Sequence, residues 1–551
     1  MNALRPPALG RYGMVATSQT LATQAGIDIL RSGGSAVDAA LAANAMLALT
    51  EPHMCGPGGD LFALVWDPRE RRLHGLNASG RSPRGQSFAT LEARLEGRHT
   101  MPGRGPLAVT APGAVDGWCK LHDRFGRLSL REIFAPAVEY AHAGFPVATR
   151  TSGAWRRVAA ELAREPAIAR QHAAFAATFL HEGEGPSPGQ VMSNRGLART
   201  LDAIAEGGRR EFYAGEIGEA MLACLTAAGG AFTADDLTRD HAEWVEPLTT
   251  RYRGHDVYEL PPNGQGVSVL QMLNILEHFP LARFGIGSAE WWHAFLEAKK
   301  LVFEDRARHY ADPACMDVSC AALLDKDYAA RRAAQIDPAR AGSSYARGDV
   351  AVPGGDTTYL AVADQDGMMV SFIQSIFQAF GSGLVVPEGG FALQSRAAGF
   401  NLDAAHPNGY APGKRPFHTI IPGFAMRDGE PWLAFGVMGA DMQPQGQVQV
   451  LVNQIDFGLD VQAAGDAPRL RHVGGAQPNG ERLDGLGVVQ YEARIPASLV
   501  AALSARGHRL QPIVDEPLHV VGGYQAVERD AARGVWRGAT ESRFDGVALG
   551  Y

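Results

Sequence analysis

Apolar residues recur at helical spacing through the first third of the chain and turn toward alternation in the last third. Leu21 to Leu30 carries one helical stripe, and Gly33-Gly34 follows it as a stop, because glycine enters the left-handed conformation that ends helices at little cost. Ser35-Ala36-Val37-Asp38 resembles a capping box with Asp in place of Glu, and it opens an Ala/Leu-rich stretch that runs to Leu49. That stretch is apolar all round, which predicts a helix buried on every side. Ser129-Leu130-Arg131-Glu132 is a full capping box ahead of Ile133, Ala137, Val138 and Tyr140. The turn Pro261-Pro262-Asn263-Gly264 precedes a further helix, predicted from Val267 to Phe279. In the last third, Thr357 to Ala363 is short, β-branched and partly alternating; Asp366-Gly367 marks a tight turn, and Met369 to Ile376 reads as the returning strand. Leu433 to Val437 is another apolar run bounded by glycine. Between the halves, Ala341 to Asp356 is rich in Gly, Ser and Pro and poor in large apolar side chains, the pattern of an exposed, mobile connection. No internal repeat is visible. The pattern gives a mixed α/β protein of enzyme size and, by itself, no function.

Composition narrows the class. Of 551 residues, 46% are hydrophobic and 20% charged, as in ordinary soluble globular proteins. The length suits two to four domains or one large core. A net charge of −8 gives no electrostatic reason to bind nucleic acid or an anionic membrane. Residues 1–18 lack the apolar centre of a signal peptide, and no apolar run reaches the length of a membrane span; a cytoplasmic protein is expected. The five cysteines are odd in number and show no CxxC spacing, which predicts reduced, mostly buried thiols. Cys55, two residues after His53 in a glycine-rich turn, is a weaker candidate for a reactive thiol.

Several chemical signatures are missing: no GxxxxGK[ST] loop, no HExxH helix, no GxSxG elbow. The informative segment is Gly354-Gly355-Asp356-Thr357-Thr358-Tyr359, where a flexible stretch runs into a strand that begins with threonine. A threonine hydroxyl is a weak nucleophile and needs a base. Scission of the peptide bond before Thr357 would free an α-amino group on the same residue, with an ordinary pKa of about 7.7–8.0. A useful fraction is then unprotonated at neutral pH and able to take the hydroxyl proton. The precursor can make the cut itself, by attack of the same hydroxyl on the preceding carbonyl. Taken alone, a Thr-Thr pair at a strand start is equally explained by β propensity.

The blocks around this segment resemble those of the γ-glutamyltranspeptidase family over nearly the whole chain. Ala16-Thr17-Ser18, Gly33 to Ala40, Glu51-Pro52-His53-Met54 with Gly56-Pro57-Gly58-Gly59, and Ala111 to Trp118 occur in the family's order. Tyr140 to Pro146, Pro261-Pro262 with Leu270 to Leu276, Asp305 to Arg308 with Asp312-Pro313, Gly538-Ala539-Thr540 and Asp545-Gly546 continue it. The resemblance implies an α+β fold, the four-layer αββα sandwich of N-terminal-nucleophile hydrolases. It implies a proenzyme of that family cut between Asp356 and Thr357 into a large subunit, 1–356, and a small subunit, 357–551, which stay intertwined as one structural domain. Thr357 matches the family nucleophile. Ser375 lies where the family has a threonine that hydrogen-bonds it, and Gly439 with Ala440 lies at the paired glycines whose N–H groups form the oxyanion hole. No metal and no cofactor is required. The partners expected are a small-molecule amide and the chain's own two fragments, with homo-oligomerisation left open.

The resemblance weakens at the substrate end. Ser79 stands where glutathione-binding members hold the α-carboxylate with an arginine, and Arg81 is a nearby substitute or a solvated surface residue. Gly399 stands where an acid pairs with the α-amino group, Phe377 where an asparagine lies, and His418 and Thr419 where paired serines lie. Phe377 reads as pocket wall or core aromatic, Arg396 as pocket residue or solvated arginine, and His418 as a pocket residue. These changes point away from efficient γ-glutamyl transfer and toward the family's acylase-like and small-amide-hydrolase branches. A true transpeptidase, or a non-catalytic binding homologue that is never cut, are the alternatives.

Overall fold

The structure, a computed structural model, describes residues 5–342, 356–481, 485–514 and 518–551. Most of the connection expected over Ala341 to Asp356 therefore lies outside the described residues. The predicted elements form where the pattern places them: helices Thr20–Arg31, Ala36–Thr50, Leu130–Ala143 and Gly266–Leu276, and strands Asp356–Ala363, Met369–Phe377 and Glu430–Met438. Both capping boxes close, with Ser35 Oγ accepting from the Asp38 amide at 3.1 Å and Asp38 accepting from the Ser35 amide at 2.9 Å. Every residue of Ala36–Thr50 is buried.

Two seven-stranded sheets carry the fold. In spatial order the first runs Val547–Gly550, Met14–Thr17, Asp356–Ala363, Met369–Phe377, Asp60–Asp67, Arg72–Ala78, Glu243–Val245. The second runs Ala8–Gly10, Val535–Thr540, Gly523–Asp530, Glu430–Met438, Gly423–Arg427, His255–Glu259, Leu248–Tyr252. Strands from before and after position 356 interleave in both sheets.

The alternation of each strand decides the layers. Tyr359, Ala361 and Ala363 face inward with Phe62, Leu64, Ile373, Ala434 and Met438, forming the apolar layer between the sheets. Leu360 and Val362 face the other way and join Ala36–Thr50 and its neighbours in a helical layer. Leu433, Phe435 and Val437 do the same on the far side, against Gly266–Leu276, Ala289–His309 and Met442–Ile455. Three apolar layers separating helix, sheet, sheet and helix are the αββα sandwich.

The sheets approach closely at Gly436. A Cβ there would lie 2.4 Å from the Tyr359 ring, and that ring is held by a 2.8 Å bond from its hydroxyl to Ser371 Oγ. Gly436→Ala should therefore destabilise the protein by about 1–3 kcal/mol through overpacking, although a strain-free Gly→Ala change stabilises by about 0.4–1 kcal/mol. The urea midpoint decides the sign, and an unchanged or raised midpoint would contradict the close contact.

Candidate active site

The hairpin that carries Thr357 is fixed at its far end by Asp364. Its carboxylate accepts from the amides of Asp366 and Met368 at 3.0 Å each and from the Ala36 amide at 3.0 Å. Gly367 takes φ +91° in the turn, as the Asp-Gly pair predicts. From there the ladder runs in register from Ala363↔Met369 to Thr358↔Gln374, then shifts before Asp356↔Phe377. Thr357 thus stands opposite both Ser375 and Ile376, in a β-bulge. Such a bulge twists the strand locally and re-aims a side chain.

Thr357 and Ser375 are both buried, and the Thr357 hydroxyl donates to Ser375 Oγ at 3.3 Å. Ser375 Oγ also accepts from the Phe377 amide at 2.8 Å and from Arg396 Nη2 at 2.9 Å. A hydroxyl oxygen has two lone pairs, so the longest of the three bonds, from Thr357, is the weakest. The threonine hydroxyl is positioned yet loosely held. Phe377 pays for the turn out of the strand with a positive φ of +73°, and its half-buried ring lies under the Arg396 guanidinium, 4.4 Å from centroid to Cζ.

Arg396, which the sequence left as either pocket or solvated, is 1% exposed. Its other terminal nitrogen donates to Thr419 Oγ1 at 2.8 Å. Burial pushes its pKa down from 12.5 to about 9, opposed by the charge of Asp60, so it stays a cation at neutral pH. From Thr419 the chain of contacts continues through Gln265. The Gln265 side-chain amide donates to the carbonyls of Thr419 at 2.7 Å and Ala440 at 2.9 Å, and accepts from Arg306 at 2.6 Å. Gly439 takes φ +123° and Ala440 φ +49° at the head of helix Met442–Ile455. Their N–H groups donate to no acceptor among the described residues, at the positive end of a helix.

His418 is fully buried and lies on the Phe62 ring at 4.8 Å between centroids. Its Nε2–H donates to Asp60 Oδ2 at 3.1 Å, and Nδ1 accepts from the Ile420 amide at 3.3 Å, which fixes one neutral tautomer. Burial, then the Arg396 charge, push its pKa down to about 3 despite the carboxylate. Asp60 is the cross-strand neighbour of Ser375. Its second oxygen accepts from the amides of Gly80 and Gly113 and from Gln394 Nε2 at 3.0–3.1 Å.

Arg81 is not part of this group. It pairs with Asp312 at 3.1 Å, bonds the Gly413 carbonyl, and lines a separate cavity of about 300 Å³ with Arg84, Asp240 and His241. Ser79 is occupied by Asn77 and Asn263. Cys55 is not a reactive thiol here: burial holds its pKa well above the usual range beside Thr358, and His53 packs on Trp155 and Phe380. Sequence reasoning missed Asp60 and Gln265. A carboxylate directly after Gly58-Gly59, at the head of a predicted strand, was the available signal for the first; a buried glutamine that binds two carbonyls leaves none.

The family model for Gamma-glutamyltranspeptidase matches residues 22–551. The chain belongs to this family. It is 36% identical over 550 residues, 98% of this chain and 99% of the relative, to the glutathione hydrolase-like YwrD proenzyme of Bacillus subtilis (strain 168). It is 35% identical over 548 residues, 98% of each, to the oxamate amidohydrolase proenzyme of Klebsiella pneumoniae. The crystal structure of cephalosporin acylase from Bacillus halodurans superposes with a TM-score of 0.90 at 40% identity, covering 100% of this chain and 98% of that one. The chain is thus an amidohydrolase-type enzyme of the γ-glutamyltranspeptidase family with the family's N-terminal-nucleophile hydrolase fold.

The neutral His418 sets a pH dependence. Its folded pKa lies below the ordinary value of 6.5, so the unfolded chain binds the proton first. The stability tied to this residue is complete above pH 6.5 and drains as pH falls toward 3, by up to about 1.4 kcal/mol per pH unit. His418→Gln should flatten that part of the profile. Equal slopes of denaturation midpoint against pH for wild type and variant between pH 6 and 4 would refute the buried neutral state.

Proposed function

We propose that this family member is the precursor of an N-terminal-threonine amidohydrolase. Thr357 Oγ1 attacks the Asp356 carbonyl, the acyl group passes from nitrogen to oxygen, and water hydrolyses the resulting ester. Asp356 is left with a carboxylate and Thr357 with a free amine. In turnover that amine takes the hydroxyl proton as Oγ1 attacks the substrate amide. The tetrahedral oxyanion is held by the Gly439 and Ala440 N–H groups, worth about 2.7–4 kcal/mol per donor in other hydrolases. The leaving amine departs with a proton, and water releases the acid from Thr357. Ser375 orients the nucleophile, and Arg396, Phe377, His418 and Thr419 surround it.

The observation that carries this reading is the Thr357 hydroxyl itself, set at a bulge near the start of its strand and bonded to Ser375 at 3.3 Å. Hydrolysis is favoured over γ-glutamyl transfer because three positions that would hold the amino acid headgroup offer no matching side chain: Ser79 is engaged elsewhere, Gly399 has no side chain, and the Phe377 ring offers no donor. Each charged hydrogen bond lost costs roughly 1.5–3 kcal/mol. The names of the relatives, an oxamate amidohydrolase and a cephalosporin acylase, are consistent with acyl groups other than γ-glutamyl.

On a denaturing gel the wild-type chain should resolve into two bands of unequal size, and Thr357→Ala should give one band and no amide hydrolysis. Two bands from the variant would remove Thr357 from its role. With a γ-glutamyl p-nitroanilide, release should be slow and unaffected by glycylglycine; brisk, acceptor-stimulated release would make the protein a transpeptidase after all.

A further inference from the structure

Among the described residues, histidines and carboxylates converge in threes at two places: His293, Glu297 and His508, and Asp67, Glu70 and His74. The second group lies at a hairpin, and its exposed Glu70 is shared between His74 and Arg124. The first group is buried throughout, and the chemistry proposed for Thr357 does not use it.

His293 and Glu297 are four residues apart in helix Ala289–His309, so they share one face. His508 lies just beyond helix Ala497–Ala505, on the other side of the Asp356–Thr357 junction in sequence. A nitrogen of each histidine and an oxygen of Glu297 lie within 4.8 Å of one another. His293 Nε2–H donates to the Asp337 carbonyl at 2.8 Å, which leaves Nδ1 as an acceptor, and His508 Nε2–H donates to it at 2.9 Å. Glu297 Oε2 accepts from the Gly342 amide at 2.9 Å. An imidazole N–H on a backbone carbonyl and a carboxylate held by a hydrogen bond are the supports that orient metal ligands. Burial and then the Lys300 charge push the pKa of His508 down to about 3, and burial lowers that of His293, so both rings are neutral.

We propose that His293, Glu297 and His508 form a site for a divalent ion of the zinc class, with water as fourth ligand, which staples residues before the proposed cut to residues after it. Two imidazoles and a carboxylate are a zinc donor set, with ligand distances of about 2.0–2.2 Å. Ligand atoms then stand roughly 3.3–3.6 Å apart in a tetrahedron. The histidine pair is already close to that spacing, and the Glu297 side chain closes the rest. The ion takes the place of the proton on His508 Nε2, and that proton moves to Nδ1, a nitrogen without a hydrogen-bond partner among the described residues. Lys300 is the competitor: its ammonium meets Glu297 Oε1 at 2.7 Å and answers the carboxylate's charge in the metal-free protein.

The test uses the full chain after dialysis against EDTA, with zinc and cobalt(II) as probes. Calorimetric titration of zinc should show one tight equivalent, and zinc should raise the thermal midpoint, since it binds the folded chain. His508→Gln should weaken that equivalent by more than the roughly 10–100-fold that loss of a supporting contact costs. Lys300→Met keeps all three ligands, removes the competing charge and should tighten binding; His74→Gln should leave it unchanged. Cobalt(II) in wild type should give the strong visible bands of a four-coordinate ion and no thiolate band, which separates this site from the five cysteines. No zinc equivalent in wild type, an equivalent that survives undiminished in His508→Gln, one weakened by Lys300→Met or His74→Gln, or a six-coordinate or thiolate cobalt spectrum overturns the proposal. Should a variant fail to fold, the wild-type cobalt spectrum decides.

Discussion

The strand Asp356–Ala363 is paired on both sides, with Met14–Thr17 and with Met369–Phe377, and its inner face is pressed against the second sheet where Gly436 admits the Tyr359 ring. Nothing in that setting lets the strand slide, since a one-residue slip would turn Tyr359 and Ala361 out of the inter-sheet layer. Its first residues inherit that rigidity. The bulge opposite Ser375 and Ile376 then turns a regular strand end into a placed hydroxyl. The positioning that an enzyme needs is thus supplied mostly by sheet packing, and only the last step by polar contacts.

Those polar contacts run as one chain across the two sheets: Thr357 to Ser375, Ser375 to Arg396, Arg396 to Thr419, and Thr419 through Gln265 to Ala440. One end is the proposed nucleophile, the other the proposed oxyanion donors, so their relative position is set by hydrogen bonds as well as by the frame. A second buried cluster shows what a purely structural arrangement looks like here. Arg469 and Arg543 are matched by Glu492 and Glu541, with every charge answered. The cluster at Thr357 instead carries a cation among hydroxyls and a histidine kept neutral. That contrast within one chain is the reason to read it as a site.

Much of the frame was legible in the sequence because local signals agreed with the tertiary outcome. Ser35 and Asp38 announced a helix start, Asp366-Gly367 a hairpin, and the partial alternation of Thr357 to Ala363 a strand. The stacking of the sheets was not legible from pattern, because period-two alternation says which residues share a face but not what covers it; the family resemblance supplied that. At the site, Thr357 and Ser375 were found through their place in family blocks. Arg396 was ambiguous, because nothing local in Ser395-Arg396-Ala397-Ala398 tells a buried guanidinium from a solvated one. Arg81 was drawn in by its nearness in sequence to Ser79, yet its side chain is turned to Asp312. Asp60 and Gln265 act by closing distances between segments far apart in the chain, and such contacts leave no trace in spacing.

The family likeness and the departures from it divide along a physical line. The proposed chemistry draws on one hydroxyl, one amine and two backbone N–H groups, and backbone groups survive replacement of glycine by alanine at 440 because alanine also carries an N–H. Selection of the acyl group draws on side chains, where a single change of charge alters affinity by an order of magnitude or more. A positive charge remains in this cluster, but it sits on the turn Arg396–Gly399, one hydroxyl from the proposed nucleophile, and not at Ser79.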